Sequence, residues 1–515
     1  MIKVDTIVMA AMALALLSSC AFADQDTTNA GDVVVEVVRY EDFGAKGDGE
    51  TDDIAAIAGA HEYANRHGLR VKADDDATYY IGGADTTVVI QTDTDFGAAR
   101  FIIDDRNVEN RRAHIFTVHS TQATVTPEGV ASLTRNQRRI EADLPGTCVV
   151  LVKDSHTTRH IRRGNNRNRG TTQSDVFVVE KDGTVDMNTP ILWDFDRFTS
   201  IVAYPVDTTP LTIRGGRFTT IANAAESKYT YYARGIEVRR SNVTIDGLEH
   251  RVTGEGDHGA PYYGFIRINE CADVTVRNCI LSGHKTYQTI GSTGKTVSMG
   301  SYDITVDSAV NVSFVNCRQA NDITDRTRWG IMASNGSKNM LYDHCELSRF
   351  DAHRGVADAT IRHSTLGHAG INAIGNGTLL VEHSTNFGRA FINLRGDYGS
   401  TWQGEFIIRN CTFVPSCGAP VSASLIGGYN DGHHDFGYIC YMPRRIVIDN
   451  LHIDDANHPE DYEGPTIFTD FNPGWTNAAS EQKYPYVRTR QVILNDVTTA
   501  SGEPLRLSEI GRAHV

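Results

Sequence analysis

The chain has 515 residues, 46 glycines against 14 prolines, and a formal net charge of −15. That length exceeds a usual compact domain, the glycine count suits many turns better than a helical bundle, and the charge argues against general affinity for nucleic acid or acidic lipid. A solenoid, which grows by stacking repeats, holds such a length in one domain.

Residues 1–23 carry Lys3, an apolar run from Ile7 to Leu17 and then small residues, the layout of an export signal and not of a membrane span. Leu17-Ser18-Ser19-Cys20 reads as a lipoprotein cleavage box, which would make a lipidated Cys20 the membrane attachment of a bacterial cell-envelope protein. Ala21-Phe22-Ala23 offers ordinary secretion as the alternative. Residues 24–38 read as a tether and 39–508 as the body, while 509–515 match the translation of a sequencing adapter.

The body opens with Asp42-Phe43-Gly44-Ala45-Lys46-Gly47-Asp48-Gly49-Glu50-Thr51-Asp52-Asp53, a glycine-spaced loop whose acidic end suits a helix N-terminus. Ala56, Ile57, Ala60 and Ala64 give the following helix an apolar face, Gly68 stops it, and Leu69-Arg70-Val71 begins a strand. This segment resembles the opening of pectate-lyase-superfamily β-helix proteins, shared with some phage tailspikes, in which the helix covers the open end of the solenoid. The resemblance implies an all-β, single-domain right-handed parallel β-helix with a short N-terminal capping helix. One departure is Asp74-Asp75-Asp76-Ala77, where relatives place Pro-x-Gly.

From Asn107 to Pro210 the pattern is less periodic. It includes Arg159 to Gly170, whose five arginines make it the most basic stretch of the chain. A solvated hairpin is one reading; the other has Arg162 and Arg163 reaching over a groove to hold sulfate or carboxylate. Leu211 to Phe218 then restarts a strand with no linker.

The stack shows in a seven-residue phrase, polar-apolar-x-apolar-x-(Asn/His/Gly)-(Cys/Ser/Leu), with copies starting at Asn242, Asp273, Asn311, Asn339, Asp358, Thr378, Glu405 and Arg445. The intervals of 31, 38, 28, 19, 20, 27 and 40 residues run from near-bare coils to coils carrying loops. Its last position, Cys279, Cys317, Cys345, Ser364, Ser384 and Cys411, predicts a buried ladder of thiols and hydroxyls, not disulfides. The position before it, Asn278, Asn316, His344, His363, His383, Asn410 and Asn450, predicts a polar ladder at a turn.

Residues shortly after the phrase form a second recurring set: Lys285 and Tyr287; Arg326, Arg328 and Trp329; Asp351, His353 and Arg354; His368 and Asn372; Arg389, Asn393 and Arg395. One stripe of cations, histidines and amides suits an anionic sugar chain. Eliminating a uronate needs a neutraliser for the carboxylate, a base for the carbon-5 proton and an acid for the leaving oxygen. Arg354 and Arg326 are the candidate neutralisers, His353 or Lys285 the base, and Tyr302 or Tyr287 the acid. Ca²⁺ is the alternative neutraliser, with Asp322, Asp325 and Asp351 as the nearest acidic residues, although no metal motif is present. The expected activity is a lyase acting on a glycosaminoglycan such as chondroitin sulfate, or on pectin or alginate. A polygalacturonase-like hydrolase and a non-catalytic surface glycan binder are the alternatives. Gly367-His368-Ala369-Gly370 resembles the hydrolases' Gly-His-Gly element, but the paired aspartates expected one coil earlier are absent.

Overall fold

The computed structural model describes residues 37–471 and 483–508; the export signal, Cys20, the tether up to residue 36 and residues 509–515 lie outside the described residues. The helix Ile54–His67 follows a strand at Val37–Arg39 that pairs in parallel with Arg70–Lys72. It buries Ile54, Ile57, Ala60, His61 and Ala64 against the first coil, with Ile54 taking the place expected of Ala56. The Asp53 carboxylate accepts from the amides of Lys46 (2.6 Å) and Gly47 (3.1 Å), tying the glycine-spaced loop to the helix start. In the acidic turn that replaces Pro-x-Gly, Asp75 reaches the neighbouring coil and accepts from the Ala98 amide at 2.7 Å.

The strands stack in parallel as a right-handed β-helix. Val243 pairs with Val274, Val274 with Val312, Val312 with Met340, Met340 with Ala359, Ala359 with Leu379, Leu379 with Phe406, and Phe406 with Ile446. These partners occupy the same place in successive copies of the phrase, so the intervals read from the sequence are the coil lengths. A further coil follows, pairing Ile446 with Val492. It escaped the pattern because Gln491–Thr499 ends its phrase in Asp496-Val497, neither of which is among the residues that close the other copies.

Both turns of the phrase explain their residues. Asn278, Asn316, His344, His363, His383, Asn410 and Asn450 all have φ between 48° and 55°, the left-handed region that asparagine enters most readily after glycine. Their side chains stack along the axis: Asn316 Nδ2 donates to Asn278 Oδ1 at 2.8 Å, and the His344, His363 and His383 rings stack at 4.8 and 5.0 Å. The inner ladder is built of free thiols. Cys317 Sγ donates to the Val276 carbonyl at 3.3 Å and Cys345 Sγ to that of Phe314 at 3.2 Å, each reaching the preceding coil.

The segment that the sequence left irregular is an antiparallel sheet of Cys148–Arg159, Thr171–Val179 and Ser200–Pro205 with its own core. Its outer face, through Val149, Leu151, Val176 and Val178, packs on Ala272 and Val310 of the stack. A buried ion pair, Lys338 Nζ to Asp175 at 2.8 Å, fastens the two together.

Replacing Asn316 by Ala puts a Cβ without a compensating side-chain bond in the left-handed region, at a cost of about 1–2 kcal/mol. Asn316→Gly relieves that backbone penalty and is expected to unfold in urea at a midpoint above that of Asn316→Ala. Equal midpoints would show that the turn does not select its residue by backbone conformation.

Candidate functional site

The barest coils, which begin at Asn339 and Asp358, lie under a cavity of about 570 Å³ whose walls are loops from the longer coils on either side. His353, Arg354, Arg349 and Asn372 come from the short coils; Arg326, Arg328 and Trp329 come from one flank and Asn393 and Arg395 from the other. Tyr302 and His368 also line it.

The Arg159–Gly170 hairpin borders the same cavity and is fastened at both ends. At its tip, Asn166 donates to the Tyr229 hydroxyl at 2.7 Å and the Arg167 carbonyl accepts from Ser292 Oγ at 2.7 Å. At its base, Arg162 pairs with Asp397 (2.8 Å) and Arg163 with Asp431 (3.0 Å), the latter also lying over the Tyr429 ring. Arg162 therefore lines the cavity, whereas Arg163 anchors the hairpin away from it.

Asn335 sets the state of His353. Its Nδ2 donates to Asp307 Oδ1 at 2.5 Å, and its Oδ1 accepts from Arg354 Nε at 2.8 Å. A carboxylate only accepts and a guanidinium only donates, so this amide has one orientation. The same Oδ1 lies 3.0 Å from His353 Nδ1, which must therefore carry the proton and leave Nε2 bare in the neutral ring. Burial, then Arg395, Arg354, Arg162 and Arg349, hold the His353 pKa well below the ordinary histidine value, so the ring is neutral at neutral pH. Burial raises the Tyr302 hydroxyl above its ordinary value and keeps its proton in place.

Two of the cavity's arginines, Arg354 and Arg326, make no ion pair among the described residues; Arg326 donates to the Ser416 carbonyl and Arg354 to Asn335. The others are matched. Arg328 pairs with Asp325 (3.3 Å) and Glu255 (3.4 Å). Arg349 and Arg395 both reach Asp351, at 2.6 and 3.1 Å, and Arg395 continues to Asp397 at 2.7 Å. Burial alone would raise the Asp397 pKa, but Arg395 and Arg162 overcome it and hold the carboxyl below its ordinary value.

Several expected residues lie elsewhere. Asp351 is fully buried beneath the two arginines and does not meet the cavity; it shares one uninterrupted strand, Glu346–Arg362, with His353 and orients arginines, not the imidazole. Lys285 and Tyr287 belong to a neighbouring loop, where both donate to the Gly256 carbonyl, so Lys285 is not placed to act as the base nor Tyr287 as the acid. Arg389 is exposed outside the cavity. The suggested Ca²⁺ ligands do not form a set: Asp322 and Asp325 cap Thr324 and Thr327, and Asp351 is enclosed by guanidinium groups. Among the described residues no group of three or more His, Cys, Asp or Glu side chains is arranged to hold a metal.

Asn335, Arg349 and Asp307 were missed. Asn269 pairs with Asp307, Asp307 with Asn335, and Asn335 with Arg354, forming one stripe across four coils. Each member is followed by a left-handed residue, namely Glu270, Ser308, Gly336 or Gly355, which turns the chain towards the next phrase. Each also stands four residues before a phrase start, a periodicity visible only to a search upstream of the phrase.

Fold and cleft together define a parallel β-helix with a lateral cleft lined by arginines. No family model matches the sequence. An alignment 140 positions long, covering 23% of the chain, is 29% identical to a capsule KL64-specific depolymerase of Klebsiella phage P510, and the match covers 14% of that relative's length. The tailspike gp61 of Pseudomonas phage phi297 superposes with a TM-score of 0.51 at 13% identity, over 90% of this chain and 80% of that one. The gp54 tailspike of Acinetobacter baumannii bacteriophage AP22, solved in complex with capsular saccharide, gives 0.49 at 10% identity over 92% and 73%.

Asp351→Ala leaves two buried guanidinium groups facing each other without their shared counter-charge, which should cost about 3–5 kcal/mol. Denaturant unfolding is expected to show a loss of that size. A loss below about 1 kcal/mol, within the range of a surface ion pair, would mean that the network does not hold the cavity floor.

Proposed function

We propose that the protein is a polysaccharide lyase that cleaves a uronate-containing acidic polysaccharide, of the glycosaminoglycan, pectin or alginate kind, by β-elimination. The observation that carries this reading is a neutral imidazole with a bare Nε2 in one cavity with two arginines that lack carboxylate partners. The likeness to a capsule-specific depolymerase supports a polysaccharide as the partner.

In the proposed reaction Arg354 and Arg326 hold the uronate carboxylate and lower the cost of charge developing next to it. His353 Nε2 takes the carbon-5 proton; that bond's electron pair forms the carbon-4 to carbon-5 double bond as the bond from carbon 4 to the glycosidic oxygen breaks. Tyr302 gives its proton to the departing oxygen. The products are an unsaturated uronate and a new reducing end. A hydrolase would need a pair of carboxyl groups at the scissile bond. The cavity offers Asp397, held by two arginines. Export, with attachment to a cell envelope through Cys20, completes the reading.

The discriminating experiment is incubation with acidic polysaccharides while following unsaturated-uronate absorbance and reducing ends. Both are expected to rise, and His353→Ala and Arg354→Ala are each expected to lose about 10²-fold or more in kcat/KM. Reducing ends without absorbance would make the protein a hydrolase. Retardation of the polymer without either signal would make it a binder.

The pH profile follows from the same groups. The base works only when His353 is neutral, and its pKa is depressed, so activity should persist below pH 6.5 and fall only as pH drops through that lower value. Arg162→Ala removes one of the cations that oppose protonation and should move this acid limb upward. A limb that stays in place would separate Arg162 from the base.

A further inference from the structure

A second cavity of about 530 Å³ adjoins the first, sharing Tyr263, Asn335 and Arg354 as common wall. Its chemistry is different. Three carboxylates line it, Glu270, Asp307 and Asp175, against the single Asp397 of the first. The cations facing them are already matched: Lys153 lies 3.9 Å from Glu270, Arg267 lies 3.6 Å from Asp307, and the buried Lys338 neutralises Asp175 at 2.8 Å. Arg159 is engaged by Gln173 (2.8 Å) and by the Trp193 ring beneath it (4.7 Å), and Arg135 stands exposed at the rim. A uronate placed here would meet three carboxylates, and Arg354, an arginine it could reach that makes no ion pair among the described residues, stands at the wall shared with the first cavity.

What the cavity offers instead is neutral. Asn376 and Gln403, partners in register on adjacent coils, line it and make no side-chain hydrogen bond among the described residues. Two open amides present both donors and acceptors, the complement of sugar hydroxyl or acetamido groups. Trp193 lines the same cavity, and open amides together with an aromatic ring are the lining that suits an uncharged sugar.

Resting on the elimination reading, we propose that the second cavity is a subsite for a neutral sugar, so that the substrate is a heteropolysaccharide in which the uronate is bonded to an uncharged residue, and not a polyuronate. Arg354, on the shared wall, stands where the two subsites meet.

The test compares the full chain on polygalacturonate and polymannuronate with its action on hyaluronan, unsulfated chondroitin and glucuronate-bearing capsular heteropolymers. The heteropolymers should be cleaved with kcat/KM at least tenfold above that for either polyuronate. Asn376→Ala together with Gln403→Ala should raise KM on the heteropolymer about tenfold and leave kcat nearly unchanged, as expected for the loss of two neutral hydrogen bonds remote from the reacting carbon. A polyuronate cleaved as well as the heteropolymers, or a double variant with unaltered KM, overturns the subsite. If no polymer yields unsaturated uronate, the elimination reading falls on its own. Gel retardation by the heteropolymers, weakened in the double variant, would then still uphold the neutral-sugar subsite, and its absence would overturn that as well.

Discussion

A chain wound into a parallel solenoid directs its backbone amides and carbonyls along the stack axis, so each coil must satisfy them on the coils before and after it. The structure depends on that requirement of register. It demands that successive coils turn at the same places, whatever their length. Asparagine, histidine and glycine in left-handed conformation meet it at the corners, and thiols that donate to carbonyls of the preceding coil meet it inside. Once register is held, equivalent positions line up, and a row such as Asn269, Asp307, Asn335 and Arg354 becomes a continuous surface although its members are far apart in sequence.

The cleft adds a second constraint, the company of many guanidinium groups. Arginines this close are tolerable because Asp351 and Asp397 sit among them as shared counter-charges. The pair left without carboxylates, Arg354 and Arg326, gives the cavity its positive bias. Burial first, and then the same field of cations, keeps the His353 ring neutral beside guanidinium groups that favour an anion.

Much of the fold was legible because register leaves a periodic trace. Apolar pairs flanked by turn residues recur at each coil, and the predicted intervals coincide with the pairings from Val243 to Ile446. The final coil and the antiparallel insertion were not legible. One ends its phrase atypically, and the other follows hairpin rules in a stretch where solenoid spacing was sought. For the cleft, residues after the phrase were found and those before it were not. Arg354 and His353 could be named, but the amide that fixes the histidine tautomer comes from the previous coil and is close only in space. Lys285 and Asp351 show the converse: a shared offset from the phrase does not settle whether a side chain faces the cavity, a neighbouring loop or the interior.

The cleft lies over the shortest coils, of 19 and 20 residues, between coils of 28 and 27 that rise as its banks. The floor and the banks of the cleft thereby occupy coils that differ in their tolerance of insertion. A bank can lengthen or shorten without moving the paired strands beneath it, and each such change reshapes the cleft. An added residue in the floor displaces His353 from Asn335 and Arg354 together. Variation in the outline of the cleft and preservation of the His353, Asn335 and Arg354 cluster are in this way assigned to different stretches of one continuous chain.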